Sequence, residues 1–158
     1  MAGCSRARPD TVSVVPRLPR GSLSEYSFFH LTARGTGGVD IFVDDYDRAD
    51  FVDLLKSTVT RFAWTCHAYC LMGTHYHAIV EAPQPRISAG MQRLNGTYAR
   101  RYNRRHERRG HLFESRFVSW VVRDERHLTL ACRYVLNNPV RAGLCGTAEN
   151  WPWSSARR

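Results

Sequence analysis

Two histidines separated by one residue, His75-Tyr76-His77, are the side chains with the clearest capacity for chemistry. On a β-strand, residues two apart point to the same face. Both imidazoles then lean toward one divalent ion and leave coordination positions for phosphate oxygens or water. The same spacing also describes two histidines that merely share a surface or hydrogen-bond within a sheet, because the motif is short. Cys66 and Cys70 lie close by and raise a zinc alternative. On one strand, however, their α-carbons sit roughly 13 Å apart. Two thiolates so placed do not share one zinc at ~2.3 Å, so both cysteines are expected to be small core residues.

Tyr134-Val-Leu-Asn-Asn138 forms a second constellation. Residues four apart share a helical face, so a phenol and an amide oxygen can be offered to one site. A tyrosine hydroxyl, with an ordinary pKa near 10, is a weak nucleophile at neutral pH. A metal that polarises a phosphate lowers the demand on it. Tyr134 equally suits the apolar side of an amphipathic helix, beside Leu130 and Ala131, with its hydroxyl meeting a polar partner. Asn138 precedes Pro139, which disfavours helical geometry there and is expected to turn the amide from the shared face.

Charge supplies the third constellation. The 158-residue chain carries a formal charge of +9, and every basic residue except Lys56 is arginine. Arg93, Arg100, Arg101, Arg104, Arg105, Arg108 and Arg109 fall in one segment, with Glu107 the opposing charge. Such a run repels itself unless a polyanion is present. Tyr98, Tyr102 and His106 are interleaved with it and suit stacking on bases. A basic run is also what a solvated helix face looks like.

The elements that must position these residues follow from periodicity. Tyr26–Arg34 reads as a strand ending at Gly35. A helix is expected from about Asp47 to Arg61, capped by Asp44 or Asp45, with Phe51, Leu54, Leu55, Val59 and Phe62 at helical spacing. Trp64–Met72 and His75–Ala82 read as a hairpin around Gly73-Thr74. A helix from about Ile87 to Arg105 carries the stripe Ile87, Met91, Leu94, Tyr98 and Tyr102. Phe113–Arg123 reads as a fourth strand, and Asp124 caps a helix to Asn137 that Pro139 stops. The expected fold is α+β, a ferredoxin-like split β-α-β domain. Its four-stranded antiparallel sheet has two helices on one face, plus a C-terminal helix carrying the tyrosine. Residues 1–24 read as a basic arm and 25–158 as the domain. Trp151-Pro-Trp153 supplies apolar anchors near the end of the chain.

Several classes lack support. No apolar run approaches the ~20 residues needed to cross a bilayer, and residues 1–22 lack a signal-peptide core. The five cysteines contain no Cys-x-x-Cys and are expected to be reduced thiols in a cytoplasm, near the nucleoid. No Gly-x-Gly-x-x-Gly or P-loop supports nucleotide-cofactor chemistry.

The ensemble resembles the single-tyrosine transposases of the HUH (His-hydrophobic-His) superfamily, and within it those associated with repetitive extragenic palindromes. The resemblance rests on His30-Leu-Thr-Ala-Arg34-Gly35, Leu71-Met-Gly-Thr-His75-Tyr-His77 and Tyr102-Asn103. It continues through Gly110-His-Leu-Phe-Glu-Ser-Arg116-Phe117, Arg133-Tyr134-Val-Leu-Asn-Asn138-Pro-Val-Arg141-Ala-Gly143 and Trp151-Pro-Trp-Ser-Ser155. One departure is Thr74 where the family usually has Asn, which removes an amide beside the first motif histidine. The N-terminal arm is also longer than in the family.

The resemblance implies that His75 and His77 hold Mg²⁺ or Mn²⁺, with Asn138 as third ligand. Tyr134 is then the nucleophile that cleaves single-stranded or hairpin DNA through a 5′-phosphotyrosine. Tyr98 and Tyr102 are rivals by residue type. Arg34, Arg116, Arg141 and the basic-helix residues Arg100, Arg101, Arg104 and Arg105 are expected to grip phosphates. Two other functions stay open: an inactive hairpin DNA- or RNA-binding protein on the same fold, and a relaxase- or replication-initiator-like nickase. A monomer and a dimer exchanging the tyrosine helix are both compatible with the sequence.

Overall fold

The computed structural model describes residues 26–156. The expected basic arm, residues 1–24, lies outside the described residues. Four antiparallel strands form one sheet in the order β2-β3-β1-β4. β1 (Tyr26–Arg34) and β3 (His75–Pro83) are central, and β2 (Thr65–Leu71) and β4 (Val118–Val122) are the flanks. The chain passes from β1 through a helix to β2, and from β3 through a helix to β4. This is the split β-α-β arrangement.

Alternation along β1 and β3 decides which face each side chain joins. Phe29, Leu31 and Ala33 on β1, with Tyr76, Ala78, Val80 and Ala82 on β3, point into one large apolar cluster. Helices α1 (Asp45–Phe62) and α2 (Gln84–Arg105) cover it. α1 begins where Asp44 accepts a hydrogen bond from the Asp47 amide at 3.1 Å. Such a cap satisfies one of the helix's free first-turn amides. Phe51, Leu54 and Leu55 on α1 and Ile87, Met91 and Leu94 on α2 fill the space between helices and sheet. α2 starts three residues before Ile87, the expected first residue, because Pro85 falls in its first turn, where a missing N–H costs nothing. Gly90 lets α2 approach Trp64 closely: a β-carbon there would lie 2.1 Å from the indole ring.

The opposite face is covered by α3 (Glu125–Leu136). Asp124 caps it by accepting from the His127 amide at 2.7 Å. Leu128, Ala131, Cys132 and Val135 recur at helical spacing and pack on Ala68, Cys70, Met72 and Ile79 of the β2–β3 region. Pro139 ends α3 as expected but does not end helical structure. It sits in the first turn of a short helix, α4 (Asn138–Arg141), so Asn138 is not expelled from helical geometry.

Two further differences from expectation have local causes. β4 is shorter than Phe113–Arg123, and Phe113 makes only an isolated bridge to Gly35. Leu112 and Phe113 are drawn into the α1/α2 core. The Arg116 carbonyl accepts from Asn95 Nδ2 at 2.8 Å, which holds residues 113–117 away from ladder pairing. At the other flank, the stretch from Trp151 to Ser155 runs along β2. Leu71 N–H donates to the Trp153 carbonyl at 2.9 Å and Ser155 N–H to the Tyr69 carbonyl at 3.0 Å. Trp151 Nε1 donates to the Leu71 carbonyl at 2.9 Å. The expected apolar anchors thus also protect an exposed strand edge.

Candidate active site

The β2–β3 turn is fixed before any functional side chain is considered. The Ile41 and Phe42 amides donate to the Gly73 carbonyl at 2.9 and 3.1 Å, and Gly35 N–H donates to the Thr74 carbonyl at 2.9 Å. A β-carbon on Gly73 would lie 2.7 Å from Asp40 Oδ1, so the turn sits tightly on the loop after β1. From this anchored start β3 alternates as the sequence requires. Tyr76 points into the α1/α2 core, where its hydroxyl donates to Asn95 Oδ1 at 2.7 Å. His75 and His77 point to the other face, their ring centroids 5.1 Å apart.

β1 brings a third imidazole that the sequence reading placed only within a motif string. His30 Nε2 lies 3.0 Å from His77 Nδ1. The His30 ring is also 5.1 Å from Trp120 on β4 and 6.2 Å from Tyr134 on α3. Tyr134 is 6.2 Å from the His77 ring as well. One chain therefore gathers His30, His75, His77 and Tyr134 without help from a second copy. The signal for His30 was available: His30, Thr32 and Arg34 alternate with the buried Phe29, Leu31 and Ala33, so they line the face that carries His77.

The electrostatics of this face follow from burial. Removal from water disfavours the charged form of an imidazole. Burial, helped by nearby His127, pulls His30 down to about 4. Burial, with His30 and His75 as neighbours, pulls His77 down to about 3. His75 is lowered by burial and by Arg34. All three are neutral near pH 7, the state in which an imidazole nitrogen can donate a lone pair. A cleft of about 280 Å³ opens beside His75 and His77, lined also by Thr32, Arg34, Glu114 and Ser115. Among the described residues no three His, Cys, Asp or Glu side chains converge as a closed metal centre.

Thr74 does more than the loss of an amide suggested. Its Oγ1 lies 3.0 Å from His75 Nδ1, so the hydroxyl supplies a supporting hydrogen bond. Asn138 follows a different course. Its Nδ2 donates to the Tyr134 and Val135 carbonyls at 3.2 and 3.4 Å, so the amide nitrogen is turned back on the end of α3. Cys66 and Cys70 are core thiols, as expected. Burial pushes Cys66 up to about 11 and Cys70 up to about 12. Cys70 is fully buried in the α3 face, and Cys66 contacts the Ala68 carbonyl across a bulge in β2.

The rival tyrosines are removed by their surroundings. Tyr98 and Tyr102 are 1% and 6% exposed, and their hydroxyls donate to the Ile41 and Asp40 carbonyls. Burial raises both phenols further from ionisation. Neither is placed to stack on bases or to attack a phosphate.

The basic segment is also less free than its one-sign composition implied. Arg101 pairs with Asp50 at 2.6 Å. Arg105 pairs with Asp44 and Asp47, each at 2.6 Å, and its guanidinium stacks 4.6 Å from the Tyr46 ring. His106 Nε2 lies 3.0 Å from Asp47 Oδ2. The opposing charges come from α1 and its cap Asp44, 51 to 61 residues upstream, where a local count does not look. Arg100 stays exposed, bonded to the Thr97 hydroxyl, and Arg104 is exposed on the rim of the same surface. Arg34 lines the histidine cleft and Arg116 is exposed nearby. Arg141 lies over the Tyr134 ring, its guanidinium carbon 4.9 Å from the centroid.

This architecture defines an α+β protein in which one sheet face is structural and the other presents a histidine pair to a helix-borne tyrosine. The chain belongs to the IS200-like transposase family, whose sequence profile matches residues 28–138, a span running from β1 to Asn138. It is 23% identical over 128 residues to a REP-associated tyrosine transposase of Haemophilus influenzae, covering 74% of this chain and 72% of the relative. Its fold is similar to that of a REP-associated tyrosine transposase solved bound to a REP hairpin. That comparison has a TM-score of 0.70 and 14% identity, and covers 91% of this chain and 84% of the other. A transposase from Deinococcus radiodurans R1 aligns with a TM-score of 0.52 and 20% identity, over 77% and 96% of the two chains. Among the described residues no helix is long and apolar enough to cross a membrane.

Proposed function

We propose that the chain cuts and rejoins single-stranded DNA, presented as a hairpin, with Tyr134 as nucleophile. The observation that carries this reading is the position of the Tyr134 ring, 6.2 Å from both His30 and His77 within one chain of this transposase family. The relative solved with a REP hairpin supports hairpin DNA as the substrate class.

In the reaction, Tyr134 Oη forms a bond to the scissile phosphorus while the bond from phosphorus to the 3′ oxygen breaks. The electron pair stays on the 3′ oxygen, and the phenol proton ends on it. The products are a 5′-phosphotyrosine and a 3′-hydroxyl, and attack by a 3′-hydroxyl reverses the step. The donor set fits a divalent ion such as Mg²⁺ or Mn²⁺. His75 and His77 are neutral, share a strand face and border a cleft open to phosphate oxygens. They would hold the ion, with the Asn138 amide oxygen as third donor, since its nitrogen is engaged with α3. When bound, the ion supplies Lewis-acid polarisation of the phosphate.

DNA contact falls in this reading to Arg34 and Arg116 near the cleft and to Arg100 and Arg104 on α2. Arg101 and Arg105 instead bind α2 to α1 through aspartates. Arg141 keeps a guanidinium against Tyr134, where it steadies the ring and faces incoming phosphate.

The test is incubation of the protein with labelled single-stranded hairpin DNA and Mn²⁺, followed by denaturing electrophoresis. A covalent protein–DNA band is expected, absent in Tyr134→Phe. A band that survives in Tyr134→Phe moves the nucleophile to another residue. Tight hairpin binding with no band across varied hairpins would make the chain a binding protein on a transposase fold.

A further inference from the structure

We infer that His30 is a positioning residue that fixes the tautomer of His77 and aims its Nε2 into the cleft. This rests on the metal reading above for its consequence, though not for its geometry. Two neutral imidazoles 3.0 Å apart must share one proton between Nε2 of His30 and Nδ1 of His77. If His77 Nδ1–H donates, His77 Nε2 keeps its lone pair and can bind a cation. If His30 donates instead, His77 Nε2 carries the proton and cannot. The tautomer of His30 therefore decides whether half of the histidine pair is competent.

The arrangement around His75 parallels the first option. Its Nδ1 is likewise met by a protein group, the Thr74 hydroxyl at 3.0 Å, which can accept from Nδ1–H. Both motif histidines thus have Nδ1 engaged by the protein. A hydrogen bond to the non-ligating nitrogen is how proteins orient imidazole ligands and raise their basicity. His30 is itself held. Its ring is flanked by His77 and Trp120, each at 5.1 Å, with Tyr134 at 6.2 Å. Its backbone lies on the central strand β1, where it pairs with Ile79 and Trp120. One side chain then sets the orientation of His77 and contacts the nucleophile's ring. Displacing it disturbs both partners together.

The experiment compares wild type with His30→Gln and His30→Phe. Gln reaches the same place with an amide oxygen that can accept from His77 Nδ1–H. Phe keeps ring packing but offers no acceptor. Histidine ¹⁵N shifts on metal-free protein are expected to show His77 protonated at Nδ1 in wild type and His30→Gln, and mixed tautomers in His30→Phe. Mn²⁺ titration followed by paramagnetic resonance is expected to show about 10–100-fold weaker binding in His30→Phe. Binding by His30→Gln is expected within a few-fold of wild type. Wild-type His77 protonated at Nε2 overturns the inference without any variant. So does His30→Phe with an unchanged tautomer, or with better Mn²⁺ binding than His30→Gln. A held tautomer in a wild-type protein that binds no Mn²⁺ would leave the role of His30 standing and refute the metal reading instead.

Discussion

The two faces of the sheet solve opposite problems with the same strands. The face under α1 and α2 is a packed apolar layer in which Phe51, Phe42, Tyr76 and Tyr98 meet as rings 4.6–5.6 Å apart. Its polar atoms are internal: the tyrosine hydroxyls of Tyr76, Tyr98 and Tyr102 each find one acceptor. The face under α3 has a smaller apolar cluster and three imidazoles, two of which, His75 and His77, border a cleft. Burial there stops short of exclusion, enough to keep the histidines neutral while leaving His75 and His77 on an open edge. The period-two alternation of β1 and β3 lets one residue serve each purpose in turn, so stability and chemistry are separable by substitution.

The sharpest way to break that separation is at the tyrosines. Tyr134→Phe is expected to abolish the covalent DNA adduct while leaving the melting temperature close to wild type, measured by electrophoresis and by thermal denaturation. Tyr98→Phe is expected to do the reverse. It removes one buried hydroxyl donor from the Ile41 carbonyl, costing about 1 kcal/mol, and leaves adduct yield per folded molecule unchanged. Loss of the adduct in folded Tyr98→Phe would show that the structural face also acts in the reaction.

Next in size is the core itself. Phe51 is fully buried against three other rings, so Phe51→Ala is expected to cost about 3–5 kcal/mol in urea unfolding. His77→Ala, on the other face, is expected to lose Mn²⁺ binding with a much smaller change in stability. Equal destabilisation by the two would mean the α3 face is as much a core as its opposite.

The same contrast explains what was legible in the sequence. Local patterns were read well: β1 runs from Tyr26 to Arg34, and the Gly73-Thr74 turn, the Asp124 cap and the His75/His77 alternation all stand as expected. These depend on residues a few positions apart. What escaped depends on long-range partners. Arg105 looked free because Asp44 and Asp47 lie about sixty residues away, and Tyr98 and Tyr102 looked available because the acceptors at Ile41 and Asp40 are as distant. His30 was visible as a motif letter, but its role needs the antiparallel register that sets β1 beside β3 and β4. The amide of Asn138 was expected to turn from the shared face because of Pro139. It is held instead by the carbonyl of Tyr134, one turn back.

A smaller effect distinguishes the arginines of α2. Arg104→Ala is expected to weaken hairpin binding and to lower the slope of log affinity against log salt by roughly 0.7–0.9, as for one lost phosphate contact. Arg101→Ala, whose guanidinium is already paired with Asp50, is expected to leave that slope unchanged. Identical slopes for the two variants would remove the distinction between free and paired cations on this helix.

The smallest effect concerns acid stability on the structural face. Hydrogen bonds from the Arg105 guanidinium and from the Asp47 amide hold Asp44 down to about 2, from an ordinary 3.8. A carboxyl with a depressed native pKa binds fewer protons folded than unfolded, so its contribution is complete above pH 3.8 and is lost as pH falls through about 2. Asp44 also caps α1, so protonation weakens the cap and the Arg105 pair together. Urea midpoints of wild type are therefore expected to fall across that interval, and those of Arg105→Ala to fall less steeply from a lower starting value. Burial holds His30 and His77 down to about 4 and about 3, so the histidine face also loses stability on acidification, but it does so in both proteins, and the difference between them isolates the Arg105 pair. An acid limb of the same shape in both proteins would show that the pair, although short, adds nothing to the attachment of α1 to α2, leaving that attachment to the apolar layer and the Arg101–Asp50 pair.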